Sequence, residues 1–117
     1  MRVLVCGGRD FNDKDVAFAV LDALKAKYGD IVIIQGGAPG ADRLAKIWAK
    51  ENNVRCEQYN ADWDRYGKAA GPIRNQWMID DGKPDLFVAF PGGNGTADMV
   101  AKCRKAGISG ANTSRSS

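Results

Sequence analysis

Four short apolar runs constrain the fold of this sequence more than any other feature. Three of them, residues 3–6, 31–35 and 86–90, are continuous rather than alternating. Such runs are typical of strands that are covered on both faces in a parallel sheet. The fourth run, residues 54–59, is more polar and predicts a strand at the edge of the sheet.

Helix-length segments alternate with these runs. Residues 13–28 carry apolar side chains at helical spacing, with Asn12 or Asp13 placed to cap the helix and Gly29 placed to end it. Strand and helix therefore alternate along the chain, which indicates an α/β fold with right-handed crossovers. The other predicted helices are residues 41–52, residues 72–81 with Pro72 in the first turn, and residues 96–106 with Gly107 at the end.

Two of the predicted helices have an apolar face that we expect to pack against the sheet or another apolar surface. The face of the first helix is wide, which fits either deep packing on the sheet or a homodimer surface. We also predict that the chain forms a homo-oligomer, a dimer or higher. The first helix has a stripe of Val16, Val20, Ala23 and Leu24 with Phe18 and Leu21 beside it, and the second helix presents Leu44, Ile47 and Trp48.

Length and composition predict one domain followed by a polar tail. The 117 residues, of which 44% are hydrophobic and 26% charged, fit a single globular domain over residues 1–108. Residues 109–117 are too polar to bury apolar surface, so we expect a disordered tail. The sheet is then mainly parallel with four or five strands, and a partner could cover its exposed edge.

The charge balance favours a small anionic ligand over a nucleic-acid partner. The formal net charge of +3 comes from 17 basic and 14 acidic residues that are scattered along the chain. No run of five or six like charges forms a basic tail. Binding of nucleic acid therefore remains an alternative that the charge does not favour.

The residue inventory excludes several classes of site. The three cysteines are widely spaced and form no CxxC pair, so we predict neither a disulfide framework nor a metal site, and no cofactor. The first apolar run is too short for a signal peptide or a membrane span, which predicts a cytoplasmic protein without a membrane partner. Histidine is absent, so any chemistry must use carboxylates, Arg, Lys, Tyr, Cys or the backbone.

Glycine clusters follow three of the four predicted strands, at residues 7–10, 36–42 and 91–96. One such turn is explained by tight chain reversal alone. In a parallel sheet, however, all three lie at the same edge, where open α/β sheets bind ligands. Glycine lets the backbone approach a phosphate, and free N–H groups at a helix start favour an anion. Thr96 can cap its helix or donate a hydrogen bond to a phosphate oxygen.

The segment 60–75 follows the remaining strand and interleaves aromatic with charged residues. Trp63 and Tyr66 either cover the core or belong to a lid, in which a ring stacks on a base. In the lid, Asp62 would bind a sugar hydroxyl and Arg74 would form paired hydrogen bonds to phosphate. We expect Arg74 in the first turn of its helix, where a cation is unfavourable unless an anion is nearby.

These motifs together resemble the YspA/YpsA-related branch of the SLOG (Smf/DprA–Lonely-guy) superfamily. The resemblance covers residues 1–108 and rests on Gly-Gly-Arg-Asp-Phe, Gly-Gly-Ala-Pro-Gly-Ala-Asp, Asp-Trp with Gly-Pro-Ile-Arg-Asn, and Pro-Gly-Gly-Asn-Gly-Thr. It implies a Rossmann-like three-layer sandwich that binds a nucleotide or an ADP-ribose-like ligand, as a sensor. The candidate ligand-binding residues are Gly7, Gly8, Arg9, Asp10, Gly36, Gly37, Gly40, Asp42, Asp62, Trp63, Arg74, Asn75, Pro91, Gly92, Gly93, Gly95 and Thr96.

Two groups of relatives imply alternative functions. Lonely-guy phosphoribohydrolases cleave nucleoside monophosphates and share a PGGxGTxxE motif with a preceding arginine, which residues 91–96 and Arg74 match. The glutamate of that motif is Met99 here, so the candidate catalytic pair is Arg74 with the adjacent Asp98, which lies about 100° away around a helix. The DNA-processing proteins share the turn at residues 36–42 and imply binding of single-stranded DNA.

Overall fold

The computed structural model describes residues 1–113 and contains a five-stranded sheet in which every described pair is parallel. The strand order is β3-β2-β1-β4-β5, and helices connect consecutive strands. The elements are β1 (Arg2–Cys6), α1 (Lys14–Tyr28), β2 (Val32–Gln35), α2 (Ala41–Glu51), β3 (Arg55–Gln58), α3 (Trp63–Tyr66), a 3-10 turn (Gly67–Ala69), α4 (Ala70–Asp80), β4 (Leu86–Ala89), α5 (Asn94–Lys105) and β5 (Ser109–Asn112).

The continuous apolar runs form the inner strands because both faces of the sheet are covered. In β1, Val3 and Val5 pack into the cluster that includes α1 and α2, whereas Leu4 and Cys6 pack into the cluster that includes α4 and α5. The polar strand β3 lies at one edge, as its sequence predicts. The Rossmann-like three-layer sandwich is therefore confirmed.

The order of the strands produces a crevice between β1 and β4. From β1 the chain proceeds outward to β2 and β3, then returns to the other side of β1 for β4 and β5. The connections that leave the carboxyl ends of β1 and β4 therefore diverge to opposite faces of the sheet. Open α/β sheets bind ligands at such a reversal point.

The polar end of the chain corrects one expectation. Residues 109–112, which we expected in a disordered tail, form β5 and pair with β4 from Leu86↔Ser109 to Ala89↔Asn112. An edge strand is held by backbone hydrogen bonds and can be exposed and polar. The sequence of β5 therefore has no apolar pattern from which a strand could be predicted. The amide of Thr113 continues the pairing to Ala89 O at 2.7 Å. The rest of the expected tail, residues 114–117, lies outside the described residues.

Two predicted helix faces are rotated in the structure. In α1 the buried residues are Ala17 and Leu21, whereas Val16, which belonged to the predicted stripe, is 40% exposed. In α2 Trp48 is fully buried, but Ile47 is 39% exposed because Ala45 and Ala49 take the inward positions. The small alanines let the helix approach the sheet closely.

The predicted helix ends are mostly confirmed. Asp13 caps α1 by accepting a hydrogen bond from Val16 N at 3.1 Å, and Gly29 follows its last residue with φ +76°. Gly107 has the same φ after α5. None of the described helices is both long and apolar enough to cross a membrane.

Candidate functional site

A pocket of about 610 Å³ occupies the crevice at the carboxyl ends of β1 and β4. Residues of the three glycine turns line it, the third of which includes the first turn of α5, together with residues of α3 and α4. The turns thus meet at one edge of the sheet, as their spacing predicts. Of the candidate residues, those that line the pocket are Gly7, Gly8, Arg9, Gly36, Asp42, Trp63, Arg74, Asn75, Gly93, Gly95, Thr96 and Asp98.

Six candidate residues do not line the pocket. Asp62 instead caps α3, where its carboxylate accepts a hydrogen bond from Arg65 N at 3.1 Å. Gly37 has φ +73° and lies against the side chains of Gln58 and Asn60. The six residues outside the lining are Asp10, Gly37, Gly40, Asp62, Pro91 and Gly92.

Gly8 joins the three glycine turns to one another. Its amide donates to Pro91 O at 2.8 Å, and its carbonyl accepts from Ala41 N at 3.3 Å. A Cβ on Gly92 would lie 2.6 Å from Gly8 N, and one on Gly40 would overlap Gly8 O. Glycine is therefore required at positions 40 and 92 for the turns to pack together, which is a different role from contact with a ligand.

The first turn of α5 offers unpaired amides to the pocket. Its cap residue is Gly93, which supplies no side-chain acceptor. Among residues 1–113, the amides of Asn94, Gly95 and Thr96 have no hydrogen-bond acceptor. Thr96 is the third residue of the helix rather than its cap, so its expected capping role is wrong. Unpaired amides at a helix start carry partial positive charge and attract anions.

Arg74 reaches across the pocket from α4 to the turn after β2. Its Nη1 donates to Gly36 O at 2.5 Å, and its Nε donates to Asn75 Oδ1 at 3.0 Å. A Cβ on Gly36 would lie 2.6 Å from Nη1, so a larger residue there would displace the guanidinium from this position. Within the described part of the chain, Nη2 has no acceptor.

The position of Arg74 corrects the helix-dipole argument. Because α4 begins at Ala70, Arg74 is its fifth residue and lies beyond the first turn. Its environment is instead set by burial and by the neighbouring charges. Burial lowers the pKa of Arg74, the Asp42 carboxylate opposes that shift, and Arg9 adds to it. The guanidinium remains positively charged at neutral pH, because arginine does not deprotonate in proteins.

Asn75 links Arg74 to α5 through a chain of hydrogen bonds. Its buried amide nitrogen donates to Gly95 O at 3.3 Å and to Asp98 Oδ2 at 3.0 Å. The other oxygen of Asp98 accepts from Lys102 Nζ at 2.5 Å. Burial alone would raise the pKa of Asp98, but the hydrogen bonds from Lys102 and Asn75 and the charge of Lys102 lower it overall. Asp98 is therefore an ionised group in a fixed position.

Asp42 is a buried carboxylate on the opposite wall, with only 6% of its surface exposed. Its Oδ2 accepts hydrogen bonds from Gly36 N at 3.1 Å and Ala38 N at 3.2 Å. Burial raises the pKa of Asp42 to about 6, although these two amides, Arg74 and Arg9 all act to lower it. Asp42 thus holds the turn after β2 in the shape that receives Arg74.

Comparison with known proteins gives this pocket a family context. The model of the YspA, cpYpsA-related SLOG family matches residues 1–66, more than half of the 117 residues. A relative, the Gene 61 protein of Mycobacterium phage D29, is 40% identical over 116 residues, covering 92% of this chain and 91% of the relative. The chain belongs to the YspA, cpYpsA-related SLOG family. SLOG membership supports nucleotide-related binding or processing.

The pocket also includes residues that the sequence analysis did not select. Cys6, Met78 and Met99 are buried and supply its apolar floor. Burial raises the pKa of the Cys6 thiol, so that thiol stays neutral. The sequence marks these residues as core because apolar side chains at helical or strand spacing usually are, and here they belong to both core and pocket.

Trp63 lines the pocket and keeps 50% of its surface exposed. Its Cη2 is 3.5 Å from the place that a Cβ on Gly71 would occupy, so the ring rests on the first turn of α4. Tyr66 is exposed but does not line the pocket. Of the two aromatic residues for which the sequence allowed either a core-covering or a lid role, Trp63 lines the pocket and Tyr66 does not.

Proposed function

We propose that the protein binds a nucleotide or nucleotide-derived ligand, of the size and charge of ADP-ribose, and acts as a cytoplasmic ligand sensor. One observation carries the proposal: Arg74 and the unpaired amides of Asn94, Gly95 and Thr96 border the same pocket at the reversal point of the sheet. A guanidinium and a helix start are both suited to phosphate oxygens.

The other walls suit the remaining parts of a nucleotide. The exposed ring of Trp63 offers a stacking surface to a base at the mouth. Met78 and Met99 form an apolar floor. A volume of about 610 Å³ is in the range of pockets that enclose small organic ligands.

Replacing Arg74 with glutamine is the first test of this proposal. A thermal shift screen with AMP, ADP, ADP-ribose and NAD should find at least one ligand that raises the melting temperature, since binding to the native state stabilises it. Isothermal titration of that ligand with Arg74→Gln should show about 10- to 100-fold weaker binding, the effect of losing a charged hydrogen bond.

Arg55→Gln is the matched control for this experiment. Arg55 lies at the amino end of β3, at the opposite edge of the sheet from the pocket, and its side chain is 75% exposed. We expect unchanged affinity in this variant. If none of the four compounds stabilises the protein at millimolar concentration, or if both variants lose affinity equally, the proposed site is wrong.

A phosphoribohydrolase is the second candidate function, and Asp98 is the observation that favours it. Asp98 lines the pocket together with Arg74, while Met99, at the glutamate position of the Lonely-guy motif, is 1% exposed. The low pKa of Asp98 suits an anion that stabilises a developing positive charge on the sugar, and it does not suit a proton donor.

Release of adenine from AMP tests this candidate. If Asp98 stabilises the transition state, Asp98→Asn should lower kcat by about 100-fold or more, since it removes the charge and keeps the shape. Chromatography of the reaction mixture measures the free base. Turnover that survives in Asp98→Asn would show that Asp98 is not catalytic, and no turnover in the unchanged protein would remove the enzyme candidate.

Two further expectations remain proposals. Single-stranded DNA would use the exposed rings of Trp63 and Tyr66, and its affinity should then fall steeply with salt. A homo-oligomer would bury exposed apolar side chains such as Ile73 and Trp77 on α4. Sedimentation of the purified protein measures the second property directly.

A further inference from the structure

One oxygen of a buried carboxylate in the pocket has no hydrogen-bond partner. Both amides that bind Asp42 donate to Oδ2, and among residues 1–113 no group donates to Oδ1. Asp42 lines the pocket, although only 6% of its surface is exposed. Since the described residues contain no fully buried side-chain oxygen without a partner, Oδ1 keeps some exposure, and the cavity that Asp42 lines is this pocket.

The other carboxylates near the pocket differ from Asp42. Both oxygens of Asp98 already accept hydrogen bonds, from Asn75 and from Lys102. Asp62, which the sequence suggested as the acceptor for a sugar hydroxyl, caps α3 outside the pocket. In the described part of the chain, Asp42 is therefore the pocket carboxylate that still has an oxygen available to a ligand.

We propose that Asp42 accepts a hydrogen bond from a hydroxyl group of the ligand, so that the pocket selects ribosyl phosphates over phosphates without hydroxyls. This inference rests on the proposed nucleotide-binding function and deepens it. The sequence suggested Asp62 as the residue that binds the sugar. This inference gives that role to Asp42, which lines the pocket, whereas Asp62 does not.

The neighbouring charges indicate which kind of donor fits Asp42. The charged groups that act on it are Arg74 from α4 and Arg9 from the turn after β1, and the uncharged thiols of Cys6 and Cys56 lie near enough to be affected by it. A cationic ligand group would meet two arginines, and an anionic group would meet the carboxylate itself. A neutral hydroxyl has neither disadvantage.

The same geometry explains why an unsuitable ligand would be rejected. In the open pocket, water can solvate Oδ1. A ligand that displaces this water without supplying a donor leaves a carboxylate oxygen unsatisfied, which is costly in a buried site. Sites built to hydrogen-bond a hydroxyl discriminate strongly against analogues that lack it.

The test compares AMP with 2′,3′-dideoxy-AMP, which differ only in the two ribose hydroxyls. At pH 7.5 the unchanged protein should bind AMP about tenfold or more tightly than the dideoxy nucleotide, as measured by isothermal titration. In Asp42→Asn, whose amide oxygen can still accept from Gly36 N and Ala38 N, this ratio should fall severalfold, because the remaining NH₂ group can only donate to the hydroxyl oxygen, in a weaker hydrogen bond between neutral groups. Asp62→Asn is the matched control and should keep the full ratio.

A second measurement needs no variant. As the pH is lowered from 7.5 to 5, the ratio should fall severalfold in the unchanged protein, because a protonated Asp42 forms only the weaker hydrogen bond between neutral groups. The phosphate group titrates in the same range, but it does so in both nucleotides and cancels in the ratio.

The outcomes separate this inference from the proposed function. If AMP and its dideoxy analogue bind with the same affinity at pH 7.5, the inference is overturned while nucleotide binding stands. If Asp62→Asn loses the preference and Asp42→Asn keeps it, the assignment of Asp42 is wrong. If AMP does not bind at all, the inference is overturned, and the proposed function then depends on whether ADP-ribose binds.

Discussion

Gly40→Ala is expected to lower the free energy of unfolding by about 3 to 5 kcal/mol, through backbone strain together with overpacking. Gly40 has φ +82° and ψ −126°, a conformation that L-residues rarely adopt. A methyl group there would lie 2.7 Å from the carbonyl carbon and oxygen of Arg9 and closer still to Gly8 O. Because these are backbone atoms, no rotamer change can relieve the contact.

Gly29→Ala separates the two contributions to this loss. Gly29 has nearly the same backbone angles, φ +76° and ψ −112°, but no atom lies within 4 Å of the added methyl group. It should therefore lose only the strain component, about 1 to 3 kcal/mol. Urea denaturation of the two variants measures the difference, which reports the packing of the turn after β2 against Gly8.

This packing connects stability to the site. A domain of this size is stable by only about 5–15 kcal/mol, so Gly40→Ala removes a large fraction of the total. It should also displace Gly8, whose amide joins the first turn to Pro91. If Gly40→Ala were no more destabilising than Gly29→Ala, the turns would not be rigidly packed, and the shape of the pocket would not depend on them.

The sequence predicts the layers of the fold well because burial on both faces leaves a strong pattern. Val3–Cys6 and Leu86–Phe90 are continuous apolar runs only because helices cover both sides of β1 and β4. β5 leaves no such pattern, since Ser109–Asn112 is held by backbone pairing at an exposed edge. The sequence pattern also did not predict how α2 is rotated about its axis, because Ala45 and Ala49 are buried while the larger Ile47 is exposed.

The sequence predicted where the candidate site lies in the fold, but it did not predict the role of each residue in it. Glycine clusters after parallel strands must meet at one edge, and they do. Whether a given glycine lines the pocket or packs against another turn depends on three-dimensional packing. Gly93 lines the pocket, whereas Gly40 and Gly92 pack against Gly8. The same limit applies to Asp62 and Asp42, since periodicity does not tell which carboxylate faces the pocket.

The pH dependence of stability should reveal Asp42 directly. Its pKa rises from 3.8 to about 6 on folding, and burial is the largest cause. A group whose pKa is raised in the folded state contributes stability that is complete below its unfolded pKa and is lost as the pH rises through the folded value. From pH 4 to pH 7.5, the unchanged protein should therefore lose about 2.5 kcal/mol that Asp42→Asn does not lose, which is most of the total contribution at about 1.4 kcal/mol per pKa unit.

Urea denaturation at pH 4, 5.5 and 7.5 measures this change, and Asp98→Asn supplies a contrast of opposite sign. The pKa of Asp98 is lowered on folding, so its contribution is present above the unfolded pKa and is lost as the pH falls. If Asp42→Asn showed the same pH trend as Asp98→Asn, the amides and arginines around Asp42 would outweigh its burial. If the expected trend is found, the protein keeps a destabilising charge in its pocket at neutral pH, which is typical of a group retained for binding rather than for folding.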